Sequence, residues 1–303
     1  MTRFASLVRR EWLQHRVGWC VLMVAPTLVL LALSAVDGGL QLRVNADDIT
    51  LPPLRAAPAA VQTALLTAAA GGATLLLACL AVLFQLPGLA RRDQQDRSIE
   101  FWCSLPIGHA QSVAAALLTH LLLLPAAALL AGMAGAQLAA LVTIGASHGL
   151  AAWLGQPWPV LLMASAAMLL RLWLGLVLAV AWLSPLLLLT MAASAWLGRW
   201  GLPLVAAALL ALPKLVDPRL PAPWFGPALR SVTGESLAAL APLQAWHGFD
   251  PGRIEPSLAA LPGALLRDAA QAAERAATPG MAVALALAAL GFWLLVLRRR
   301  RAL

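Results

Sequence analysis

One charged stretch, Arg91-Arg92-Asp93-Gln94-Gln95-Asp96-Arg97-Ser98-Ile99-Glu100-Phe101-Trp102-Cys103-Ser104-Leu105-Pro106, separates two long apolar runs. Asp93 or Asp96 can cap a helix, and Leu105-Pro106 disfavours its continuation, so the stretch predicts a short helix of about two turns. Ile99, Phe101 and Trp102 form an apolar group that is costly in an aqueous loop. These side chains either fold back onto the lipid interface or anchor the loop in a groove on another protein.

The composition outside this stretch is that of a membrane protein. Hydrophobic residues make up 61% of the 303 residues, charged residues 11%, and the mean hydropathy is +0.83. Too little polar surface remains to coat a soluble globule, and apolar runs of about 18 or more residues recur along the chain. We therefore expect an all-α polytopic protein of the cell (cytoplasmic or inner) membrane, without disulfides.

The hydropathy pattern divides the chain into an amphipathic interfacial helix at 1–16 and a transmembrane domain at 17–303. Six spans are predicted at about 17–36, 61–89, 112–145, 171–196, 202–216 and 279–297. Gly71-Gly72 in the second span predicts close helix packing, and Pro125 in the third predicts a kink.

Two segments between the spans are less regular. In the first, residues 146–170, an interfacial turn is predicted at 147–159, after which apolar residues 160–170 dip toward the bilayer. Residues 217–278 form the largest polar segment, in which 235–247 and 257–277 are amphipathic and are expected to lie on the membrane surface. In the second of these, Leu258, Leu261, Leu265 and Leu266 are placed opposite Arg267, Asp268, Glu274 and Arg275.

The distribution of charge predicts the orientation of the spans. The segments placed inside hold 12 basic and 4 acidic residues, and those placed outside hold 7 basic and 9 acidic. Lys and Arg favour cytoplasmic loops, so both termini are expected in the cytoplasm and residues 217–278 outside it. Because the basic residues are spread over short membrane flanks, nucleic-acid binding is not expected.

Motifs for enzyme chemistry are missing from the sequence. The only lysine, Lys214, follows Ala211-Leu212-Pro213, so no phosphate-binding loop of the G-x-x-x-x-G-K-[ST] type is present. No H-E-x-x-H, paired-cysteine or G-x-S-x-G pattern occurs, and the five histidines are scattered. We expect no catalytic, cofactor-binding or metal-binding residue, and any ATP energy must come from a partner chain.

Three ionisable residues fall in or beside the apolar runs. Arg171, next to Trp173, is expected to be an anchor at the outer interface, and Lys214 is expected to extend toward Asp217. The alternative for both is a contact with substrate or a lipid headgroup. His120 is expected to be a packed or hydrogen-bonded side chain rather than a proton relay.

The charged stretch also carries a family resemblance. Arg97-Ser98-Ile99-Glu100-Phe101-Trp102-Cys103-Ser104-Leu105-Pro106, preceded by Asp93 and Asp96, resembles the D-x-S-I-x-F-W-x-S-L-P signature of type 2 ATP-binding-cassette (ABC) permeases. Arg9-Arg10-Glu11-Trp12 with His15-Arg16 is similar to their N-terminal amphipathic helix, and Ser194-Ala195-Trp196 with Arg199 fits their fourth span. Cys103 stands where a basic residue is common in the motif.

The resemblance implies a permease subunit with an exporter-like fold of six spans. It implies a second permease subunit, in a homodimer or heterodimer, and separate ATPase subunits that bind ATP and Mg²⁺. Residues 91–110 would be the cytoplasmic coupling loop. The docking residues implied are Asp93, Asp96, Arg97, Ser98, Ile99, Glu100, Phe101 and Trp102.

The function expected from this resemblance is export of a hydrophobic or amphipathic substrate. One alternative is an ABC mechanotransmission subunit that moves its outer segment without passing a substrate through the bilayer. The other is an ion-driven secondary transporter, which needs polar or charged residues near the midplane, and the apolar runs hold few.

Overall fold

Helices make up nearly all of the described chain. The computed structural model describes residues 3–35, 43–44, 49–50, 57–89, 108–219, 224–242, 245 and 254–301. The helices are α1 (Arg3–Ala35), α2 (Ala59–Leu89), α3 (His109–Leu118), α4 (Leu124–Ser147), α5 (Leu150–Leu154), α6 (Trp158–Leu197), α7 (Gly201–Leu215), α8 (Phe225–Leu240), α9 (Ile254–Ala276) and α10 (Pro279–Arg300). A π-helical segment, Thr119–Leu123, joins α3 to α4. Two strands of two residues each, β1 (Arg43–Val44) and β2 (Ile49–Thr50), pair antiparallel between α1 and α2.

Five of the described segments are long and apolar enough to cross a membrane: Phe4–Leu33, Ala59–Leu89, His109–Ser147, Trp158–Arg219 and Pro279–Arg300. Their outward faces carry large apolar side chains, such as Val17, Phe84 and Leu210, which are 72%, 84% and 71% exposed. A surface of this kind is stable against lipid and costly in water. The prediction of a helical, multi-pass membrane protein is confirmed.

The predicted interfacial helix and first span form one helix, α1. Leu7, Glu11 and Trp19 are all buried, so a single inward stripe with a spacing of four residues continues through the expected boundary at residue 16. Glu11 meets His120, and Thr27 meets Gly135. The two residues of each pair are separated by nearly the same number of residues in sequence, so α1 runs parallel to the helix formed by α3 and α4. Glu11 therefore contacts the helix bundle from within the predicted interfacial segment.

The second predicted span corresponds to α2, which packs antiparallel to α4 at close distance. A Cβ atom on Gly132 would lie 2.4 Å from Thr74 Oγ1, and one on Gly71 would lie 3.1 Å from Met133 Cγ. Gly72 has open space around it. The expected close packing therefore occurs at Gly71 and not at Gly72.

Helix α6 is longer than the predicted fourth span, residues 171–196. It has 40 residues and a length of about 60 Å at 1.5 Å per residue. Pro159 lies in its first turn, where a missing N–H costs no hydrogen bond, so the helix can begin at Trp158. Residues 160–170 are thus the first turns of α6 and not a separate segment.

Helices α9 and α10 run parallel to α6, one after the other. Leu258 packs against Val160 and Asp268 pairs with Arg171, while near the C-terminus Arg298 donates a hydrogen bond to Ala195 O. The amphipathic helix predicted at 257–277 is therefore covered by α6 on its apolar side rather than lying alone on the membrane surface.

One prediction about the faces of α9 is wrong. Leu265 is fully buried, but Leu266, predicted to share its face, is 48% exposed, and Asp268, predicted on the polar face, is buried. Positions 258, 261, 265 and 268 follow steps of three and four residues, which places Asp268 on the inward stripe.

Gly198 reverses the chain after α6 with a φ of 60°, a conformation that glycine adopts without strain. A Cβ on Gly201 would lie 2.5 Å from the backbone of Ala193 and Ser194, and one on Gly175 would lie 2.3 Å from Ala239 O at the end of α8. Gly201 thus lies beside residue 193 of α6, and Ala239 lies beside residue 175. These two positions on α6 are about 27 Å apart at 1.5 Å per residue. The chain therefore runs back along α6 through both α7 and α8. The sequence predicted that a single span at 202–216 would do this.

The helices define two ends of the bundle. At the first, which we call the arginine end, a cluster holds Trp19, Leu86, Leu121, Ala195 and Leu295. There α2, α6 and α10 end, and α1 and α3 begin. At the other, the distal end, a smaller cluster holds Leu66, Ala140 and Ile144, with Trp153 packed against it.

Candidate functional site

The two helices that flank the charged stretch in sequence meet the arginine end of the bundle. The predicted docking residues of the stretch, Asp93, Asp96, Arg97, Ser98, Ile99, Glu100, Phe101 and Trp102, lie outside the described residues. The helices that precede and follow it are described: α2 ends at Leu89 and α3 begins at His109. α3 packs against both α1 and α10.

A buried polar cluster lies in the same half of the bundle and consists of Glu11, His15 and His120. Glu11 Oε2 is 3.4 Å from His120 Nε2, and the His15 and His120 rings meet edge to face with 4.9 Å between their centroids. One ligand-type atom from each of the three residues lies within 4.8 Å of the others. Arg10 donates to Glu11 Oε1, with its Nε at 3.1 Å, so the carboxylate has a cation on one side and the histidines on the other.

The π-helical segment, Thr119–Leu123, sets the position of His120. The N–H of Leu124 bonds to Thr119 O, five residues back, and Pro125 has no N–H with which to continue the regular ladder. Helices widen into π-turns at such points, often at functional sites. Pro125, where the sequence predicted a kink, directly follows this segment at the start of α4.

His120 is fully buried, and neither of its ring nitrogens makes a hydrogen bond within the described part of the chain. The prediction of a packed or hydrogen-bonded side chain is met by its burial and by its contacts with Glu11 and His15. The cluster itself was not predicted from the sequence. The available signals were the spacing of Glu11 and His15, which places both on one helix face, and the proline five residues after His120.

The distal half of the bundle holds a second charged site, formed by Arg171 and Asp268. Arg171 Nε donates to Asp268 Oδ2 at 2.5 Å, and Arg171 Nη1 donates to Ala239 O at 2.7 Å. Both side chains are buried. Arg171 therefore joins α6 to α8 and α9, and its side chain is fully buried rather than exposed as an anchor beside Trp173.

Lys214 and Asp217 have separate surroundings. Asp217 is buried and accepts hydrogen bonds from the N–H groups of Phe225 at 3.0 Å and Gly226 at 2.6 Å, so it caps the N-terminus of α8. Lys214 is exposed and forms no ion pair with a carboxylate of the described residues. The predicted approach of Lys214 to Asp217 is not seen.

A cavity of about 540 Å³ opens between α2, α4 and α6 in the distal half of the bundle. Its wall combines polar side chains, Thr67, Gln137 and Ser165, with the indole rings of Trp153 and Trp158, whose centroids are 4.8 Å apart. Gln137 donates to Thr67 Oγ1 at 3.0 Å. An apolar wall with a few fixed polar groups is typical of sites for amphipathic small molecules.

Comparison with models of protein families, with curated proteins and with solved structures found no match to this chain. Its function is therefore inferred from its own residues. The half of the bundle at the arginine end holds the Glu11–His15–His120 cluster, while the distal half holds the cavity and the Arg171–Asp268 pair.

Proposed function

We propose that this chain is the permease subunit of an ATP-driven transporter of the type 2 ABC kind. Residues 91–106 resemble the ATPase-docking signature of such permeases, and this resemblance carries the proposal. The fold supports it, because the stretch connects α2 to α3 at the end of the bundle where α1 begins and α10 ends.

The proposed orientation places the arginine end in the cytoplasm. α10 ends in Arg298, Arg299 and Arg300, and Arg199 follows α6 at the same end. Basic residues favour the cytoplasmic side of spans, so both termini and the docking stretch would face the ATPase. ATP and Mg²⁺ would bind in that partner, since this chain has no phosphate-binding loop.

The path of the chain supports six passes of the bundle. Five candidate spans are present, and the longest, Trp158–Arg219, includes the reversal at Gly198. After that reversal, α7 and α8 return the chain far enough for α10 to run again toward the arginine end. The six spans of a type 2 permease are thus proposed to be α1, α2, α3 with α4, α6, the α7–α8 return, and α10.

Force from the ATPase would enter through the helices next to the docking stretch. α3 continues through the π-segment into α4, and α1 lies parallel to both, with Glu11 and Thr27 against them. A displacement of residues 91–106 would therefore move α1, α3 and α4 together. The tight contact between Gly132 and Thr74 would pass this movement to α2.

The proposed cargo is hydrophobic or amphipathic, and export is the proposed direction. The cavity next to Gln137 and Ser165 supports such a cargo, because it offers indole rings and a few polar groups in an otherwise apolar wall. The path would be completed by a second permease subunit. Arg171 is not a favoured cargo contact, because its charge is already buried against Asp268; exposed Lys214 would meet lipid headgroups.

A second candidate function, mechanotransmission without passage of a substrate, is favoured by the packing of the outer segment. α8 and α9 are held to α6 by the Arg171–Asp268 pair and by the hydrogen bond to Ala239 O. A change in the tilt of α6 would therefore move the outer segment as a body. Such a subunit would need the same ATPase contact at residues 91–106.

The docking stretch is tested by purifying the tagged chain from its native membranes together with its ATPase. In a Phe101→Ala/Trp102→Ala variant we expect loss of an ATP-hydrolysing partner from the purified complex, because buried aromatic residues supply much of interface affinity. Trp200→Ala is the matched control, since Trp200 is an exposed aromatic residue at the same end of the bundle. An ATPase that still co-purifies with the double variant and keeps its coupled activity contradicts the proposal.

The two candidate functions are separated by reconstitution of the complex in vesicles. Transport predicts ATP-dependent movement of a fluorescent amphiphile between leaflets or out of the vesicle, blocked by vanadate. Mechanotransmission predicts ATP hydrolysis and a change in accessibility of residues on α9 without movement of the amphiphile.

A further inference from the structure

We propose that Glu11, His15 and His120 bind a divalent transition-metal ion that joins α1 to the π-segment of the third span. Two imidazoles and one carboxylate are a common ligand set for Zn²⁺ with a fourth position left to water. The proposal concerns binding by this chain alone and does not depend on the proposed transport function.

The geometry is close to that of a metal site. Two ligands around one zinc ion, with bonds of about 2.0 Å at tetrahedral angles, lie about 3.3 Å apart. Glu11 Oε2 and His120 Nε2 are already 3.4 Å apart. The third donor, on His15, belongs to a set whose atoms are all within 4.8 Å of one another, so it must approach by at most about 1.5 Å. His15 is only partly buried, and binding of the ion would require its side chain to move by this distance.

His120 has a buried imidazole whose nitrogens lack hydrogen-bond partners among the described residues. It lies on an apolar helix. Leaving a buried polar group unsatisfied costs about 1 to 3 kcal/mol. A metal ion between Nε2 and Glu11 Oε2 would remove the part of this cost that falls on Nε2, because its lone pair would be used in coordination.

Glu11 is oriented for this role by its neighbour. Arg10 binds Oε1 and leaves Oε2 directed toward His120. Groups that hold a ligating carboxylate in place commonly support metal sites from outside. Arg10 also places a positive charge near the ion, which weakens binding of a cation. Replacing Arg10 with Gln should therefore strengthen metal binding if it leaves Glu11 in place.

The test is titration of the purified full-length chain in detergent with Zn²⁺, by calorimetry, and with Co²⁺, by visible absorption. We expect one ion per chain and a Co²⁺ spectrum typical of four-coordinate N and O ligands. In His15→Gln and in Glu11→Gln we expect the affinity for Zn²⁺ to fall at least tenfold. His109→Gln is the matched control, because His109 begins α3 in the same half of the bundle and does not belong to the cluster.

The partly exposed His15 keeps the test independent of folding. Its substitution should leave the melting temperature without metal unchanged, while the rise in melting temperature that Zn²⁺ gives to the original chain and to His109→Gln should be absent. Failure of the original chain to bind Zn²⁺ or Co²⁺, or an unchanged affinity in both His15→Gln and Glu11→Gln, overturns the proposal.

Discussion

Arg171 of α6 and Asp268 of α9 form an ion pair in which Nε lies 2.5 Å from Oδ2 and both side chains are buried. The same guanidinium donates to Ala239 O, so one side chain fixes two elements of the segment 225–276 to α6. Next to it, Gly175 leaves room for Ala239 O, which a Cβ atom would approach to 2.3 Å. This segment is therefore attached to α6 at a defined point.

Arg171→Met should lower the free energy of unfolding by about 3 to 5 kcal/mol, because it leaves the Asp268 carboxylate buried without its partner. The measurement is thermal or denaturant unfolding of the purified chain in detergent. Arg171→Met/Asp268→Leu should regain most of the loss, since both charges are then removed together. The exposed neighbour Arg267→Gln should have little effect, and a single Arg171→Met variant as stable as the original chain would disprove the role of the pair.

Gly132→Ala should destabilise the bundle by about 1 to 3 kcal/mol, because the added Cβ would lie 2.4 Å from Thr74 Oγ1 and force α2 away from α4. Gly72→Ala on α2 is the matched control, since its Cβ meets nothing within 4 Å. That change should be neutral or should stabilise α2 by up to about 1 kcal/mol, as alanine favours helices over glycine. Equal effects of the two substitutions on the unfolding midpoint would contradict the close contact.

Asp217→Ala should lower stability by about 0.5 to 2 kcal/mol, because the N–H groups of Phe225 and Gly226 lose their acceptor at the start of α8. Lys214→Gln should leave the unfolding midpoint unchanged, since Lys214 is exposed and lies apart from this cap. If Lys214→Gln is instead as damaging as Asp217→Ala, the two residues act as an ion pair, as the sequence suggested.

The proposed orientation predicts which cysteines a membrane-impermeant thiol reagent reaches in intact cells. With Cys20 and Cys79 replaced by Ala, Cys103 should be labelled only after the membrane is permeabilised. Glu274→Cys, placed on the exposed face of α9 in a chain that also lacks Cys103, should be labelled from outside. Labelling of Cys103 in intact cells would reverse the assignment of the termini to the cytoplasm.

Hydropathy was enough to predict the helical membrane fold, because lipid requires long apolar helices with satisfied backbone groups. The start of α6 was predicted less well, because Pro157 and Pro159 are typical turn residues. A proline in the first turn is nevertheless compatible with a helix. The predicted boundary at residue 16 is not an end of a helix, since α1 continues from Arg3 to Ala35. The change from charged to apolar composition there alters the surroundings of α1, but it does not break the helix.

The sites depended on contacts between residues that are far apart in sequence. Arg171 and Asp268 are separated by 97 residues, and His120 is more than 100 residues from Glu11. Nothing in the local pattern around Arg171 distinguishes a buried charge from an interface anchor, since Trp173 beside it is typical of both. The face of Asp268 could have been assigned from its spacing to Leu261 and Leu265, because helical periodicity alone places the three together.

The π-segment Thr119–Leu123 changes how the third span should be counted. The N–H of Leu124 bonds to Thr119 O, five residues back instead of the usual four, so the segment holds one extra residue; Thr119, His120 and Leu121 within it are all buried. The single extra residue shifts the phase of the helix by about 100°. The two halves of the span therefore follow different helical registers, and deletion of one residue from this segment would bring them into a single register while turning His120 away from Glu11.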